Sequence, residues 1–373
     1  MELNRKKVML YGGSYNPIHQ GHINAAINAS KFVNCDEVWL MPRRYNYDGS
    51  LLLDGKHRVK MIELAISHLD NFKVCDIELK DKDRKLIYTY HTAKKLTRIY
   101  KDIDFYFLIG ADQLNNLKRW YESEKLTKLF KFVCYQRPGY IINQDIVKQF
   151  DIKVIDGPLV DVSSTIVRSG VFSKIDEEIQ NYIKVNQLYL KERVMPRLTE
   201  ERFVHVLSTA KIAKKIALSN NVDTNQAYVA GILHDIAKGL SHDEILALME
   251  EFYPSKIKED SFAYHAYVSE YIALHEFGIT DKKILKAIRS HCLATKNMSK
   301  LDKIIYCADK LEESRPFAST LNDIRKIAYD DIDRCFILVM KDQYDHYIKN
   351  NKYVNPHLLK MIEFYERKLD DGR

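Results

Sequence analysis

Disulfide, membrane and nucleic-acid signals are all missing from this 373-residue sequence. Its six cysteines (Cys35, Cys75, Cys134, Cys292, Cys307 and Cys335) are scattered, with no CxxC pair. That argues against a disulfide framework or a cysteine zinc site, and for free buried thiols in a reducing compartment. No apolar run approaches about 18 residues, and the basic start MELNRKKVML meets glycines before a signal-peptide core can form. A cytoplasmic protein with no membrane partner is expected. No basic run is long enough for a nucleic-acid tail, although Lys and Arg exceed Asp and Glu by 58 to 51. That excess reads either as solvated surface or as a tendency to hold phosphates. Glycine is scarce and uneven: nine of the 13 precede residue 171, and only Gly231, Gly239, Gly278 and Gly372 follow.

What is present fits two domains. At about 150 residues per domain the length allows two or three. The 46% hydrophobic and 29% charged residues suffice for packed cores with wettable surfaces. In the first half, short β-rich runs at 8–11, 37–42, 72–79, 105–110, 131–136 and 152–156 alternate with helix-period stretches near 20–34, 56–70, 88–100 and 120–129. Alternation of this kind predicts a parallel sheet with helices on its faces. From about residue 198 the strand signals stop. Apolar residues then recur at helical spacing over 199–219, 223–238, 241–252, 261–277, 281–292, 299–312 and 331–349. The expected domains are an α/β unit at 1–194 and an all-α bundle at 195–373.

The first run of β-rich sequence leads directly into Gly12-Gly13-Ser14 and then His19-Gln20-Gly21-His22. Glycines at the carboxyl end of a strand let backbone approach a nucleotide, and a helix opening at residue 20 offers free N–H groups to a phosphate. A second polar group, Ser163-Ser164-Thr165 with Arg168, follows the last expected strand, and its hydroxyls and guanidinium suit phosphate oxygens. These stretches resemble the nucleotidyltransferases with a His-x-Gly-His signature. IYTYHT (87–92), LIGADQ (108–113), RWY (119–121) and RPGY (137–140) narrow the resemblance to nicotinate-nucleotide adenylyltransferases over residues 7–190. The resemblance implies a Rossmann-like fold and transfer of an adenylyl group from ATP, with Mg²⁺, to nicotinate mononucleotide. It further implies that Gly12, Gly13, Ser14, Gly110, Asp112, Ser163, Ser164 and Thr165 hold ATP. His19, His22 and Arg168 neutralise its phosphates, and Thr89, Trp120 and Arg137 surround the pyridine ring. Two departures stand out. The family's Pro-Pro-His-Lys loop is replaced by Arg43-Arg44-Tyr45-Asn46-Tyr47-Asp48-Gly49-Ser50, and its YTYDT reads Tyr88-Thr89-Tyr90-His91-Thr92.

The helical half carries His205, His234-Asp235, His265, His291 and Asp309, each within or at the end of a different expected helix. A bundle can point all six inward, and imidazoles with two carboxylates are enough for two metal ions. RFVH (202–205), ILHDIAK (232–238), YHA (264–266), AIRSH (287–291) and IYCAD (305–309) resemble HD-domain metal-dependent phosphohydrolases, most closely the symmetrical bis(5′-nucleosyl)-tetraphosphatases. That resemblance implies two ions, iron by family preference with Mn or Co as alternatives, and hydrolysis of diadenosine tetraphosphate to two ADP. It gives Asp235 and Lys238 catalytic roles, and Arg202 and Arg315 roles as polyphosphate clamps. HCLATKNM (291–298) departs from the family's glycine-containing loop. Two alternatives stay open: an HD domain acting on another nucleotide, and a first domain weakened into a nucleotide-binding regulatory module. Oligomeric state, domain orientation and amido versus deamido acceptor are not set by these residues.

Overall fold

The structure, a computed structural model, describes residues 5–45, 52–81, 88–136, 141–157, 162–257, 261–314 and 321–371. Its contacts fall into two compact units, Met1–Tyr182 and Ile183–Arg373.

The first unit is built on six parallel strands: β1 (Lys6–Gly13), β2 (Glu37–Pro42), β3 (Phe72–Val74), β4 (Ile103–Gly110), β5 (Lys131–Tyr135) and β6 (Lys153–Ile155). They lie in the order β3-β2-β1-β4-β5-β6, the doubly wound order whose direction reverses between β1 and β4. Val8–Leu10, Val38, Leu40 and Phe105–Ile109 are buried, as strands covered on both faces require. The longer helices are α1 (Gln20–Phe32), α2 (Gly55–Ala65) and α3 (Thr89–Ile99). Short ones follow: α4 (Ala111–Asn115), α5 (Ser123–Leu129), α6 (Gln144–Gln149) and α7 (Ser164–Arg168). The strand expected over 72–79 stops at Val74. Its continuation folds into a turn, with Lys80 N–H donating to Asp76 O, while the Thr92 hydroxyl donates to the Glu78 carboxylate at 3.0 Å.

α8 (Glu177–Val185) spans the division between units, and α9 (Leu190–Val194) follows it. The second unit continues with α10 (Glu200–Ser219), α11 (Thr224–Leu233), α12 (His242–Phe252), α13 (Tyr264–His275), α14 (Lys282–Arg289) and α15 (Lys300–Leu311). α16 (Asn322–Asp330), α17 (Ile332–Lys349) and α18 (Pro356–Asp371) complete it. Leu190 and Val194 are buried in the same cluster as Ala210, Ile216, Leu233 and Ile305. α9 therefore packs with the helices, although the divide read from the sequence falls after it, at 194/195. Neither α16 nor α18 was read from the sequence. α11 is shorter than the expected 223–238: it ends at Leu233, and a single 3₁₀ turn occupies Ile236–Gly239. Successive residues of an unbroken helix point about 100° apart. The break lets neighbouring His234 and Asp235 face one centre.

Two candidate active sites

In the first unit, β1 ends at Gly12-Gly13, and α1 begins six residues after Ser14, at the sheet's reversal point. His19 sits at the helix N-cap in extended conformation, and its N–H donates to His22 Nδ1 at 3.3 Å. With Nδ1 accepting, a neutral His22 carries its proton on Nε2. The two imidazoles lie 3.8 Å apart between centroids. A Cβ at Gly21 would stand 3.1 Å from the His19 ring and 3.3 Å from Val162, so a larger residue between the histidines would press those side chains aside by a few tenths of an ångström. The Ser164 hydroxyl donates to Pro17 O at 2.8 Å, and Arg168 donates to Asn16 O at 2.6 Å and to Thr165 Oγ1 at 3.0 Å. Ser163 caps α7 by accepting from Ile166 N–H. The structure thus brings His19, His22, Ser164, Thr165 and Arg168 together. Gly110 ends the neighbouring β4, and Asp112 follows it in the first turn of α4, where it accepts from the Gln113 amide.

The acceptor residues are only partly gathered. Tyr88 stacks on Tyr121 at 4.7 Å, which joins the segment of Thr89 to that of Trp120. Trp120 itself packs on the core, 6.4 Å from the rings of both Phe107 and Phe132. Arg137 lies outside the described residues. Arg44 donates to Asp81 O, and Arg43 is held through its backbone N–H to Gly13 O at 2.9 Å. Arg58 escaped the sequence reading. Fully buried, it donates to Ser14 O and Leu53 O, both at 2.8 Å, and so braces the glycine loop. An arginine in a helix of alternating charge gave no sign of this.

In the second unit, α10 supplies His205, the end of α11 supplies His234-Asp235, α13 His265, the turn after α14 His291, and α15 Asp309. All six meet, and all but Asp309 are buried below a tenth of full exposure. The two carboxylate oxygens of Asp235 face different imidazole pairs. Oδ1 is 3.2 Å from His265 Nε2 and 3.3 Å from His291 Nε2, while Oδ2 is 3.8 and 3.7 Å from His205 and His234 Nε2. Asp309 Oδ1 closes the second pair, 3.1 Å from His205 Nε2 and 3.7 Å from His234 Nε2.

The imidazoles are turned for metal. His234 Nδ1–H donates to Gly231 O and His291 Nδ1–H to Ile288 O, both at 2.7 Å. Carbonyls only accept, so in neutral rings the Nε2 lone pairs point into the centre. His205 Nε2, His234 Nε2 and Asp235 Oδ1 are buried there without a hydrogen-bond partner of good geometry among the described residues. Burial alone would lift the Asp235 carboxyl, but His234, His265 and His291 outweigh it and hold the group well below the usual range. Asp309 likewise stays ionised against its burial, through Lys310, His205 and His234. Burial pushes His291 down to about 4, so it is neutral. Burial also works to lower His205, but Asp309 and Glu312 overcome it and hold the ring at about 9. Ionised carboxylates around outward-anchored imidazoles fit a centre for divalent cations.

Of the remaining expected residues, Arg202 pairs with Asp235 Oδ2 at 2.9 Å, on the rim of the centre. Lys238 is exposed on the 3₁₀ turn after the dyad, and Arg315 lies outside the described residues. Glu312 and Lys310 were missed. Glu312 accepts from His205 Nδ1 at 3.0 Å, and Lys310 donates to His291 O and Asp309 Oδ2 at 2.9 and 3.0 Å.

Residues 10–170 match the Cytidylyltransferase-like family, and residues 202–314 match the HD domain. A probable nicotinate-nucleotide adenylyltransferase/Ap4A hydrolase of Mycoplasma genitalium is 32% identical over 349 residues, which cover 90% of this chain and 97% of that protein. The chain belongs to this two-domain family. Its halves are therefore a nucleotidyltransferase and an HD hydrolase. A probable nicotinate-nucleotide adenylyltransferase of Streptococcus pyogenes serotype M1 is 35% identical over 54% of this chain and 89% of its own length. Among solved structures, a Clostridium acetobutylicum protein described as a predicted HD superfamily hydrolase involved in NAD metabolism is 28% identical. It covers 48% of this chain and 96% of that one, with a TM-score of 0.44. No helix among the described residues is long and apolar enough to cross a membrane.

Proposed function

We propose that the first unit transfers an adenylyl group from ATP to nicotinate mononucleotide, giving deamido-NAD and pyrophosphate. The observation that carries this reading is the pair His19 and His22 at the start of α1, joined to the Ser164–Arg168 helix through the carbonyls of Asn16 and Pro17. His22 Nε2–H, His19 and the Arg168 guanidinium hold the triphosphate while the acceptor's 5′-phosphate lines up behind the α-phosphorus. Catalysis is then positioning and charge neutralisation, with no covalent intermediate. Magnesium, when bound, adds charge neutralisation on the phosphate oxygens. Release of pyrophosphate from ATP with nicotinate mononucleotide, compared with the amide analogue, tests the reading. If neither acceptor is adenylylated, or if His22→Ala turns over normally, the reading fails.

For the second unit we propose hydrolysis of diadenosine tetraphosphate to two ADP. The split orientation of Asp235, one oxygen to each imidazole pair, supports a two-ion centre. Bound divalent ions would supply Lewis-acid stabilisation of phosphoryl oxygens, and iron, manganese and cobalt all suit these donors. His205, His234, Asp235, His265, His291 and Asp309 hold the ions. Arg202 and the exposed Lys238 present positive charge at the rim to the polyphosphate. Six free cysteines accord with a cytoplasmic setting. Product analysis on a panel of nucleotides decides: ADP alone from diadenosine tetraphosphate supports the assignment. Turnover of a different nucleotide with the tetraphosphate untouched overturns the substrate, and full activity of Asp235→Asn overturns the centre.

A further inference from the structure

Cys292 follows His291 on the turn after α14 and has no place in the ligand set read from the sequence. Its Sγ lies 3.1 Å from His265 Nε2 and 3.1 Å from His291 Nε2, and those nitrogens are 3.2 Å from each other. Asp235 Oδ1 stands 3.2 and 3.3 Å from the same nitrogens, buried and without a hydrogen-bond partner among the described residues. One sulfur and two nitrogens therefore crowd around a single point, with a carboxylate oxygen of Asp235 beside the same two nitrogens.

Ordinary hydrogen bonding accounts poorly for this cluster. His291 spends its Nδ1–H on Ile288 O, so in its neutral form its Nε2 can only accept. A thiol has one hydrogen and can satisfy one of the two imidazoles, not both. A cation satisfies the sulfur and both nitrogens at once. A triangle with sides of 3.1, 3.1 and 3.2 Å has its corners about 1.8 Å from its centre. That is shorter than metal–nitrogen bonds of about 2.0–2.1 Å and metal–sulfur bonds of about 2.3 Å. An ion about 1 Å off the plane reaches all three atoms at these bond lengths with no side chain moved. The His205, His234 and Asp309 cluster, by contrast, offers nitrogen and oxygen only.

We propose that Cys292 is a thiolate ligand to the ion held by His265, His291 and Asp235. The centre is then asymmetric. One position has nitrogen and oxygen donors, and the other adds a soft sulfur that favours a thiophilic ion such as zinc or ferrous iron. With Cys292 the protein supplies four donors to that ion, the number that closes a tetrahedral shell. The inference rests on the proposed metal centre and adds a residue to it.

The test is cobalt(II) loading of the stripped full-length chain, with bound metal counted and the near-ultraviolet spectrum recorded. Two cobalt ions with a sulfur-to-cobalt charge-transfer band are expected. Cys292→Ser should abolish that band, keep the visible absorption of the first ion, and weaken binding of the second at least about tenfold. The wild-type spectrum alone is decisive if the variant fails to fold. Two bound cobalt ions with no charge-transfer band overturn the role of Cys292 and leave the metal centre standing. A band that survives in Cys292→Ser also overturns it, by assigning the sulfur elsewhere. A chain that binds no cobalt overturns both the inference and the centre beneath it.

Discussion

His22 Nδ1 accepts from the backbone N–H of His19, so its side chain caps the helix at whose start the proposed phosphate site lies. Replacing it with alanine removes a preorganised donor, a class of change that costs roughly 10²–10³-fold in rate. His22→Ala should lower transferase turnover by that factor while the metal content of the helical unit stays at the wild-type value. Glu312 is the comparable case in the second unit. Burial would raise its carboxyl, but hydrogen bonds from His205, Ser314 and Ser208 hold it at about 2. As an anion that fixes the His205 ring, it belongs to the outer layer whose loss typically costs about 10–100-fold in metal affinity. Glu312→Gln should show that loss in a metal-competition titration with the fold unchanged. The six residues proposed as ligands were legible because histidine and aspartate in apolar helices demand partners. Glu312 was not, because it lies 107 positions from the ring it orients and in an ordinary charged run. Cys292 carried no spacing signal at all, and only the fold reveals what stands next to it.

Among the elements, the contact of α10 with α11 sets how closely His205 and His234 approach. A Cβ on Gly231 would lie 2.7 Å from the backbone Cα of Ala210, a distance that side chains cannot relieve. Overpacking of this kind costs about 1–3 kcal/mol. Gly231→Ala should lower the unfolding midpoint of the helical unit accordingly and weaken metal binding too, since Gly231 O anchors the His234 ring. In the first unit, the turn that replaces the end of the expected 72–79 strand encloses Glu78. Burial pushes its carboxyl up to about 7, against the hydrogen bond from Thr92 and the charge of Arg43. Between about pH 4.5 and 7 the folded chain keeps a proton that the unfolded chain has lost. Stability therefore falls as pH rises through that window, by an amount of order 1–3 kcal/mol. Glu78→Gln, which cannot ionise, should flatten the dependence in unfolding curves recorded across it. Alternating strands and helices made the sheet readable. The α11 break was not readable, because apolar periodicity runs through Leu233-His234-Asp235-Ile236 and only the need to aim two neighbours at one point interrupts it.

At the scale of the whole molecule, composition told the α/β half from the helical half without fixing where one core stops. Proline and mixed charge near residue 195 marked the divide in the sequence, yet the chain joins the helical core earlier. Leu190 and Val194 are buried there, and Arg193 donates to Glu276 O at 3.0 Å with its guanidinium over the Phe277 ring. Burial lowers the Arg193 guanidinium to about 10, which still leaves it charged at neutral pH. Burying two aliphatic side chains is worth about 1.5–3 kcal/mol each, so α9 contributes roughly 3–6 kcal/mol to the second unit. A fragment beginning at residue 183 should therefore fold with a clearly higher denaturant midpoint than one beginning at residue 195. Both retain all six proposed ligands, so a stability gap without a matching gap in metal stoichiometry is the expected pattern. Equal midpoints would show that α9 adds nothing to the stability of the helical core, as a divide near residue 195 requires.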